Sequence, residues 1–109
     1  MTPDLPQDVL DELALVRQSL DEGNEGKARV CARRAVGKAF TLARNPAGPM
    51  STSEVLVRIA GMVDFPSNVR AAAQRLATSV TRRESDPFSV HPLDDALVII
   101  DALMAGKKS

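Results

Sequence analysis

The strongest structural constraint in this chain lies in residues 24–44, NEGKARVCARRAVGKAFTLAR, where apolar residues recur with the period of an α-helix. One side of the helical wheel carries mostly small residues: Ala28, Cys31, Ala32, Ala35, Ala39, Leu42 and Ala43. Alanines at this spacing let a second helix approach more closely than leucines would. The stretch therefore predicts a central helix that packs tightly against a neighbour, and we expect that neighbour to be the alanine-rich fourth helix.

Composition favours helices throughout the chain. Aromatic residues make up 3% of the 109 residues, and Trp and Tyr are absent, so Leu, Val, Ile, Ala and Met must build the core. A β-sandwich would need strands rich in aromatic and β-branched residues. A chain of this length is expected to form one domain. We therefore predict a single all-α domain over residues 1–109, folded as an up-and-down bundle of about five helices.

Capping and breaking residues divide the chain into these helices. Asp4 is expected to cap the first helix, with Pro6 in its opening turn, and Gly23 is expected to end it. Two prolines and one glycine in residues 45–49 predict a loop after the second helix. The second, third and fourth helices are expected to be capped by Asn24, Ser51 and Ser67. The fifth helix is expected to begin at Pro92 and to end at Gly106.

Apolar residues at helical spacing predict the buried faces. The expected sets are Val9, Leu10, Leu13, Val16 and Leu20 in the first helix, Leu56, Ile59, Ala60 and Val63 in the third, and Val69, Ala72, Ala73, Leu76 and Val80 in the fourth. In the fifth helix, Leu93, Leu97, Ile100 and Met104 form one face, and other apolar residues continue around most of the circumference. We expect that helix to be partly core and partly the contact of a homodimer, which Ile99→Asp would convert into a folded monomer.

Charge is segregated along the chain although the formal net charge is zero. Residues 1–26 hold seven acidic side chains and one basic, residues 27–83 hold eleven basic and two acidic, and residues 84–109 hold five acidic and two basic. One interpretation is that the acidic first and last helices neutralise the basic middle helices across the bundle surface. The other is an exposed basic face for RNA or an acidic protein, formed by Arg33, Arg34, Lys38, Arg75 and Arg82.

The single cysteine and the N-terminal sequence bear on the compartment. Cys31 lies on the apolar side of the central helix, so we expect a small buried thiol in a reducing environment. The segment MTPDLPQD is polar and acidic, unlike a secretory signal, and no apolar run approaches the length of a membrane span. These features predict a cytoplasmic protein that does not enter a membrane.

Few residues suggest catalysis. With one cysteine and one histidine, and without a phosphate-binding glycine loop, neither a metal site nor a cofactor is expected. Asp94 and Asp95 are interpreted as complements of a helix dipole. His91, with Arg82 and Arg83 upstream, could serve as general base and phosphate clamp in RNA cleavage, or it could simply precede Pro92 at the start of the helix.

The first helix pair resembles that of HEPN domains. The resemblance rests on LDEGNEGKARVCARRAVGKAF, an acidic helix ending in Leu-x-x-Gly followed by an alanine-seamed helix with Lys38-Ala39-Phe40 near its end, and it is best over residues 9–44. It implies an all-α bundle of four or five helices that usually dimerises, often in contact with RNA or nucleotides. Many members are metal-independent RNases with an Arg, four to six intervening residues and a His.

That catalytic motif is not matched here. His91 follows Arg83 and Arg82 with seven and eight residues between, and Pro92 comes directly after it. The resemblance therefore implies the non-catalytic branch, a dimer that binds RNA or a partner protein through its basic face. The alternatives that stay open are an RNase using His91 with Arg82 or Arg83, and a purely structural dimerisation domain.

Overall fold

The computed structural model describes residues 5–44, 48, 50–77 and 91–107, and that part of the chain contains five α-helices and no β-strand. The helices are α1 (Gln7–Asp21), α2 (Glu25–Arg44), α3 (Thr52–Ala60), α4 (Ser67–Ala77) and α5 (Pro92–Lys107). The prediction of an all-α helical bundle with about five helices is confirmed. Among the described residues, no helix is both long and apolar enough to cross a membrane.

The central position belongs to α2, as the sequence predicts, but its neighbours differ from the expectation. It packs most extensively against α1 and α5, and also against α3. The expected close pairing of α2 with α4 is wrong, because few contacts join those helices and α5 packs against both of them. Small residues permit a close approach but do not select the partner. The larger buried side chains Ile99, Ile100 and Leu103 of α5 contribute to the shared core.

The buried face of α2 contains the expected alanines and extends beyond them. Ala28, Cys31, Ala32, Ala35 and Ala39 are fully buried, and so are Val36 and Phe40, which the wheel does not include. Leu42 is 41% exposed, so its predicted burial is wrong. In the antiparallel hairpin of α1 and α2, the start of α1 lies beside the end of α2 and leaves Leu42 only partly covered.

Other predicted faces need correction at their edges. Leu10 and Leu20 of α1 and Val63 after α3 are exposed, whereas Glu12 and Ser19 of α1 and Val55 of α3 are buried. In α5 the fully buried side chains are Pro92, Ala96, Ile99, Ile100 and Leu103. Of the predicted face, only Ile100 is fully buried, and Leu93, Leu97 and Met104 are partly buried. Because Ile99 belongs to the core of a single chain, Ile99→Asp is expected to unfold the protein, and it is not a test of dimerisation.

Most caps follow from the sequence. Gly23 ends α1 with φ +76°, and the bonds from Gly23 N–H to Leu20 C=O and from Asn24 N–H to Ser19 C=O form a Schellman motif. The side chain of Asn24 then accepts a hydrogen bond from Lys27 N–H at the start of α2. Ser51 and Glu54 form the predicted reciprocal capping box at the start of α3.

Three helix ends differ by about one residue from the prediction. Pro6 is the cap of α1 and lies outside its first turn, and Asp4 lies outside the described residues. The carbonyl of Pro66 accepts the first hydrogen bonds of α4, so Ser67 is already helical. Helix α5 continues through Gly106 to Lys107. Val80, predicted for the inner face of α4, lies outside the described residues.

Candidate functional site

Two of the five predicted binding residues face α1. Lys38 Nζ donates a hydrogen bond of 2.9 Å to Glu12 Oε2, and Arg34 Nε lies 3.4 Å from Glu12 Oε1. The Glu12 residue is 8% exposed, whereas the side chains of Arg34 and Lys38 are 50% and 42% exposed. One buried carboxylate of the acidic first helix therefore holds two partly exposed cations of the basic second helix.

The same contacts raise the pKa values of these cations. The hydrogen bond to Glu12 raises the pKa of Lys38, and the charge of Glu12 acts in the same direction. A hydrogen bond to the Cys31 sulfur, followed by the charge of Glu12, raises the pKa of Arg34. Both contacts therefore favour the charged forms, which Lys and Arg side chains already hold at neutral pH. Cys31 itself is buried, as predicted.

Arg33 lies on another side of α2. Its Nε donates a hydrogen bond of 2.6 Å to the carbonyl of Leu76 in the last turn of α4, and burial lowers the pKa of its guanidinium. Arg33 thus links α2 to α4, which the charge pattern alone does not reveal.

Arg75 joins α4 to α5 through a bidentate ion pair. Its Nη2 and Nε donate hydrogen bonds of 2.7 Å and 3.2 Å to the two carboxylate oxygens of Asp95, and hydrogen bonding to Asp95 raises the pKa of Arg75. Asp95 is buried, while Asp94 beside it is exposed. The interpretation of both aspartates as dipole complements therefore misses the main role of Asp95.

The predicted basic residues do not form one continuous free face in the described part of the chain. Arg34 and Lys38 adjoin α1, whereas Arg33 and Arg75 are engaged at the junction of α2, α4 and α5. Arg82, the fifth predicted contributor, and Arg83 lie outside the described residues. His91 is exposed, and its carbonyl accepts the Asp95 N–H at the start of α5.

A groove lies over the outer side of α2, between the beginnings of α1 and α3. We call it the α2 groove; it has a volume of about 480 Å³ and is lined by Pro6, Asp8, Arg34, Gly37, Lys38, Thr41, Leu42, Met50 and Thr52. Arg34 and Lys38 are thus the two predicted site residues that the structure brings together in a concave surface. Its size falls in the range of natural ligand sites.

Gly37 explains how α3 can lie so close to α2 at this groove. A Cβ atom at position 37 would stand 3.1 Å from Cγ2 of Thr52, closer than ordinary van der Waals contact. The missing side chain at position 37 therefore leaves room for Thr52. The sequence reasoning missed Gly37, Thr41, Met50 and Thr52 as site residues, and Gly37 is the one position whose residue type signals a close approach.

A second, adjoining groove runs along α3. It also has a volume of about 480 Å³ and is lined by Met50, Ser53, Glu54, Val57 and Arg58, so Met50 belongs to both grooves. Val57 is 65% exposed there. No cluster of three or more metal-ligating side chains occurs in the described ranges.

Comparisons of the chain with models of protein families, with curated proteins and with solved structures found no match.

Proposed function

We propose that this chain is a non-catalytic helical interaction module that binds an acidic, partly apolar segment of a partner protein in the α2 groove. The observation that carries the proposal is the combination, in one concave surface, of exposed apolar groups with two cations already held in place. Leu42 and Met50 supply apolar surface, and Arg34 and Lys38 supply the charge. This combination is typical of sites where apolar contacts give affinity and charges orient the ligand.

Arg34 and Lys38 are suited to bind a peptide carboxylate because Glu12 holds their side chains in position before a ligand binds. Glu12 restrains both side chains from the buried side and leaves about half of each exposed. A partner therefore orders fewer rotatable bonds on binding than it would with free surface lysines. Asp8 also lines the groove, so a ligand carboxylate is expected to bind at the Arg34 and Lys38 side.

RNA is the alternative ligand, and the described contacts favour a protein segment. Arg33 and Arg75 already bond to groups of this chain, and Arg33 is partly buried. Phosphate binding across α2 and α4 would compete with those bonds, as ligand binding at Arg34 and Lys38 would compete with Glu12, so the apolar lining of the α2 groove by Leu42 and Met50 is what favours a protein segment. An RNA complex would also lose affinity steeply with added salt, whereas burial of Leu42 and Met50 would preserve part of the affinity of a peptide complex.

The test is selection of short random peptides on the immobilised protein, followed by fluorescence anisotropy with the best selected peptide. We expect selected peptides to combine Asp or Glu with large apolar residues. Leu42→Asp should weaken binding by at least about tenfold, equivalent to about 1.4 kcal/mol, because it removes apolar contact and repels carboxylates. The matched control is Val30→Asp, since Val30 is equally exposed on α2 but does not line the groove.

Two results would overturn the proposal. One is equal weakening, or none, in Leu42→Asp and Val30→Asp. The other is binding of a labelled single-stranded RNA of mixed sequence that is tighter than peptide binding, is lost with added salt, and is abolished by Arg75→Ala but unaffected by Leu42→Asp. That second result would restore the basic face of α2 and α4 as the functional surface.

Four other predictions from the sequence are not part of this proposal: the HEPN-like resemblance, the cytoplasmic location, the homodimer and the RNase alternative. Membership of a HEPN-like group, a cytoplasmic location and a homodimer stay predictions; the solution mass by light scattering checks the homodimer. Partial burial of Leu93, Leu97 and Met104 leaves apolar surface on α5 for a dimer contact. The RNase alternative is checked by RNA degradation with wild type and His91→Ala, and cleavage that depends on His91 would make this protein an enzyme.

A further inference from the structure

We propose that Gly37 and Thr52 together determine the size of the apolar side chain that the α2 groove accepts. This inference rests on the proposed function and adds the feature of the ligand that the groove selects. Both residues line the groove, Gly37 from within α2 and Thr52 as the first residue of α3. The space between them therefore belongs to the groove, and any atom added there reduces it.

The backbone of α2 carries no side chain at Gly37. Glycine destabilises a helix interior relative to alanine, and α2 has alanine at the buried positions Ala35 and Ala39. At position 37 a Cβ atom would lie 3.1 Å from Thr52 Cγ2 and 3.9 Å from Thr52 Cβ. Thr52 is branched at Cβ and cannot bend away as a long side chain could. A methyl group at position 37 would therefore fill part of the groove and press on Thr52.

The groove at Gly37 suits an apolar side chain of the ligand. Thr41 Oγ1 donates a hydrogen bond of 3.1 Å to the Gly37 carbonyl, so this carbonyl has a partner within the chain. An apolar group that covers it leaves no backbone acceptor unpaired. Leu42, which is 41% exposed, and the partly buried Met50 add apolar surface to the same groove. Apolar contact here does not depend on the charged residues of the groove.

The space at Gly37 makes binding depend on the size of the ligand's side chain. A large apolar side chain that fills this space buries more area than a small one, so the affinity should rise with its size. With a methyl group at position 37, the large side chain would overlap that group or displace Thr52, whereas an alanine of the ligand would still fit. Gly37→Ala is therefore expected to reduce the preference for a large side chain.

The experiment compares two peptides by fluorescence anisotropy. One is the best peptide selected on the wild-type protein, and the other has alanine in place of its apolar residue that contributes most to binding. The ratio of their dissociation constants measures the size preference, which a general loss of protein stability would not change. We expect Gly37→Ala to lower this ratio at least about fivefold. Gly26→Ala is the matched control in α2, because Gly26 lies outside the groove and its added Cβ meets no atom closer than 4.0 Å.

Thr52→Ser provides the second arm because it removes Cγ2, the atom that the new Cβ would meet. Added to Gly37→Ala, it keeps the number of methyl groups between α2 and α3 constant, so the ratio should return to within about twofold of the wild-type value. On its own, Thr52→Ser enlarges the groove and should favour a peptide with a larger apolar residue at the same place. This variant tests the inference even if Gly37→Ala does not fold.

The outcomes separate this inference from the proposed function. An unchanged size preference in both Gly37→Ala and Thr52→Ser would overturn the inference, while weaker binding by Leu42→Asp but not by Val30→Asp would leave the proposed function intact. If Thr52→Ser does not restore the ratio that Gly37→Ala lowers, the two residues do not act together and the inference is wrong. If Leu42→Asp and Val30→Asp weaken binding equally, the peptide binds elsewhere and both proposals fail.

Discussion

Ser19 and Glu12 are buried polar side chains on the same face of α1, and they have opposite energetic consequences. Glu12 holds Lys38 and Arg34, although its Oε1 accepts no well-aligned hydrogen bond within the described residues. Ser19 Oγ is also buried, and no hydrogen-bond partner for it occurs in the described part of the chain. A buried hydroxyl without a partner costs free energy, whereas a paired carboxylate organises its neighbours.

Ser19→Ala is expected to stabilise the protein. Removing the unpaired hydroxyl should raise the free energy of unfolding by about 1 kcal/mol, measured by urea denaturation. Ser53→Ala, at an exposed helical position, controls for the better helix propensity of alanine. A loss of stability in Ser19→Ala would show that the hydroxyl has a favourable interaction that the structure does not provide.

The contact of Lys38 with Glu12 predicts a pH dependence at the alkaline end. Because the folded-state pKa of Lys38 is raised above its usual 10.5, the contact contributes its full stability below pH 10.5 and loses it as pH rises through the folded-state pKa. Glu12→Gln should therefore make the stability less dependent on pH above 10.5. Urea denaturation across this range is the measurement.

The control for this alkaline effect is Asp21→Asn, at an exposed position of α1. It should retain the alkaline loss of stability of the wild type, because Glu12 still contacts Lys38. Other lysines titrate equally in all three proteins and do not affect the comparison. If the free energy of unfolding fell with pH as steeply in Glu12→Gln as in the wild type, Glu12 would not act on Lys38.

At the scale of the helices, the local signals in the sequence predict where elements begin and end, but they do not predict how the helices pair. Gly23, Asn24 and Ser51 act as the sequence predicts because a cap depends on only a few neighbouring residues. The pairing of α2 with α5 depends on the shapes of distant faces. Similar alanine seams in α2 and α4 cannot distinguish those partners.

The turn between α1 and α2 gives a matched pair of glycine substitutions. Gly23→Ala should destabilise the protein by about 1 kcal/mol, since the positive φ disfavours any Cβ even where space is open. Gly26→Ala, inside α2 and without a steric conflict, should be neutral or stabilising. Thermal unfolding followed by circular dichroism measures both, and equal effects would contradict the role of the Gly23 conformation.

Asp94 and Asp95 provide a second pair, which tests how α5 is held against α4. Asp95→Ala should lower the free energy of unfolding by about 2 kcal/mol, because it leaves the partly buried Arg75 without its carboxylate. Asp94→Ala should cost only about 0.5 kcal/mol, through the helix dipole. Urea denaturation distinguishes them, and equal losses would mean that both aspartates act only on the dipole.

At the scale of the whole molecule, the candidate site arises from the arrangement of α1 and α3 around α2. Charge segregation correctly suggests that acidic helices lie beside basic ones, as the contacts of Glu12 and Asp95 demonstrate. The α2 groove could not be predicted in the same way, because Pro6, Gly37 and Thr52 belong to three separate elements. Only the folded chain brings them together.

Amide NMR spectra recorded during addition of the selected acidic peptide test the central claim most directly. Binding in the α2 groove predicts the largest shifts at the amides of Gly37, Thr41 and Thr52, which line it. Shifts concentrated instead at Leu76 and Asp95, where Arg33 and Arg75 bind within the bundle, would contradict the account and place the functional surface on the other side of α2.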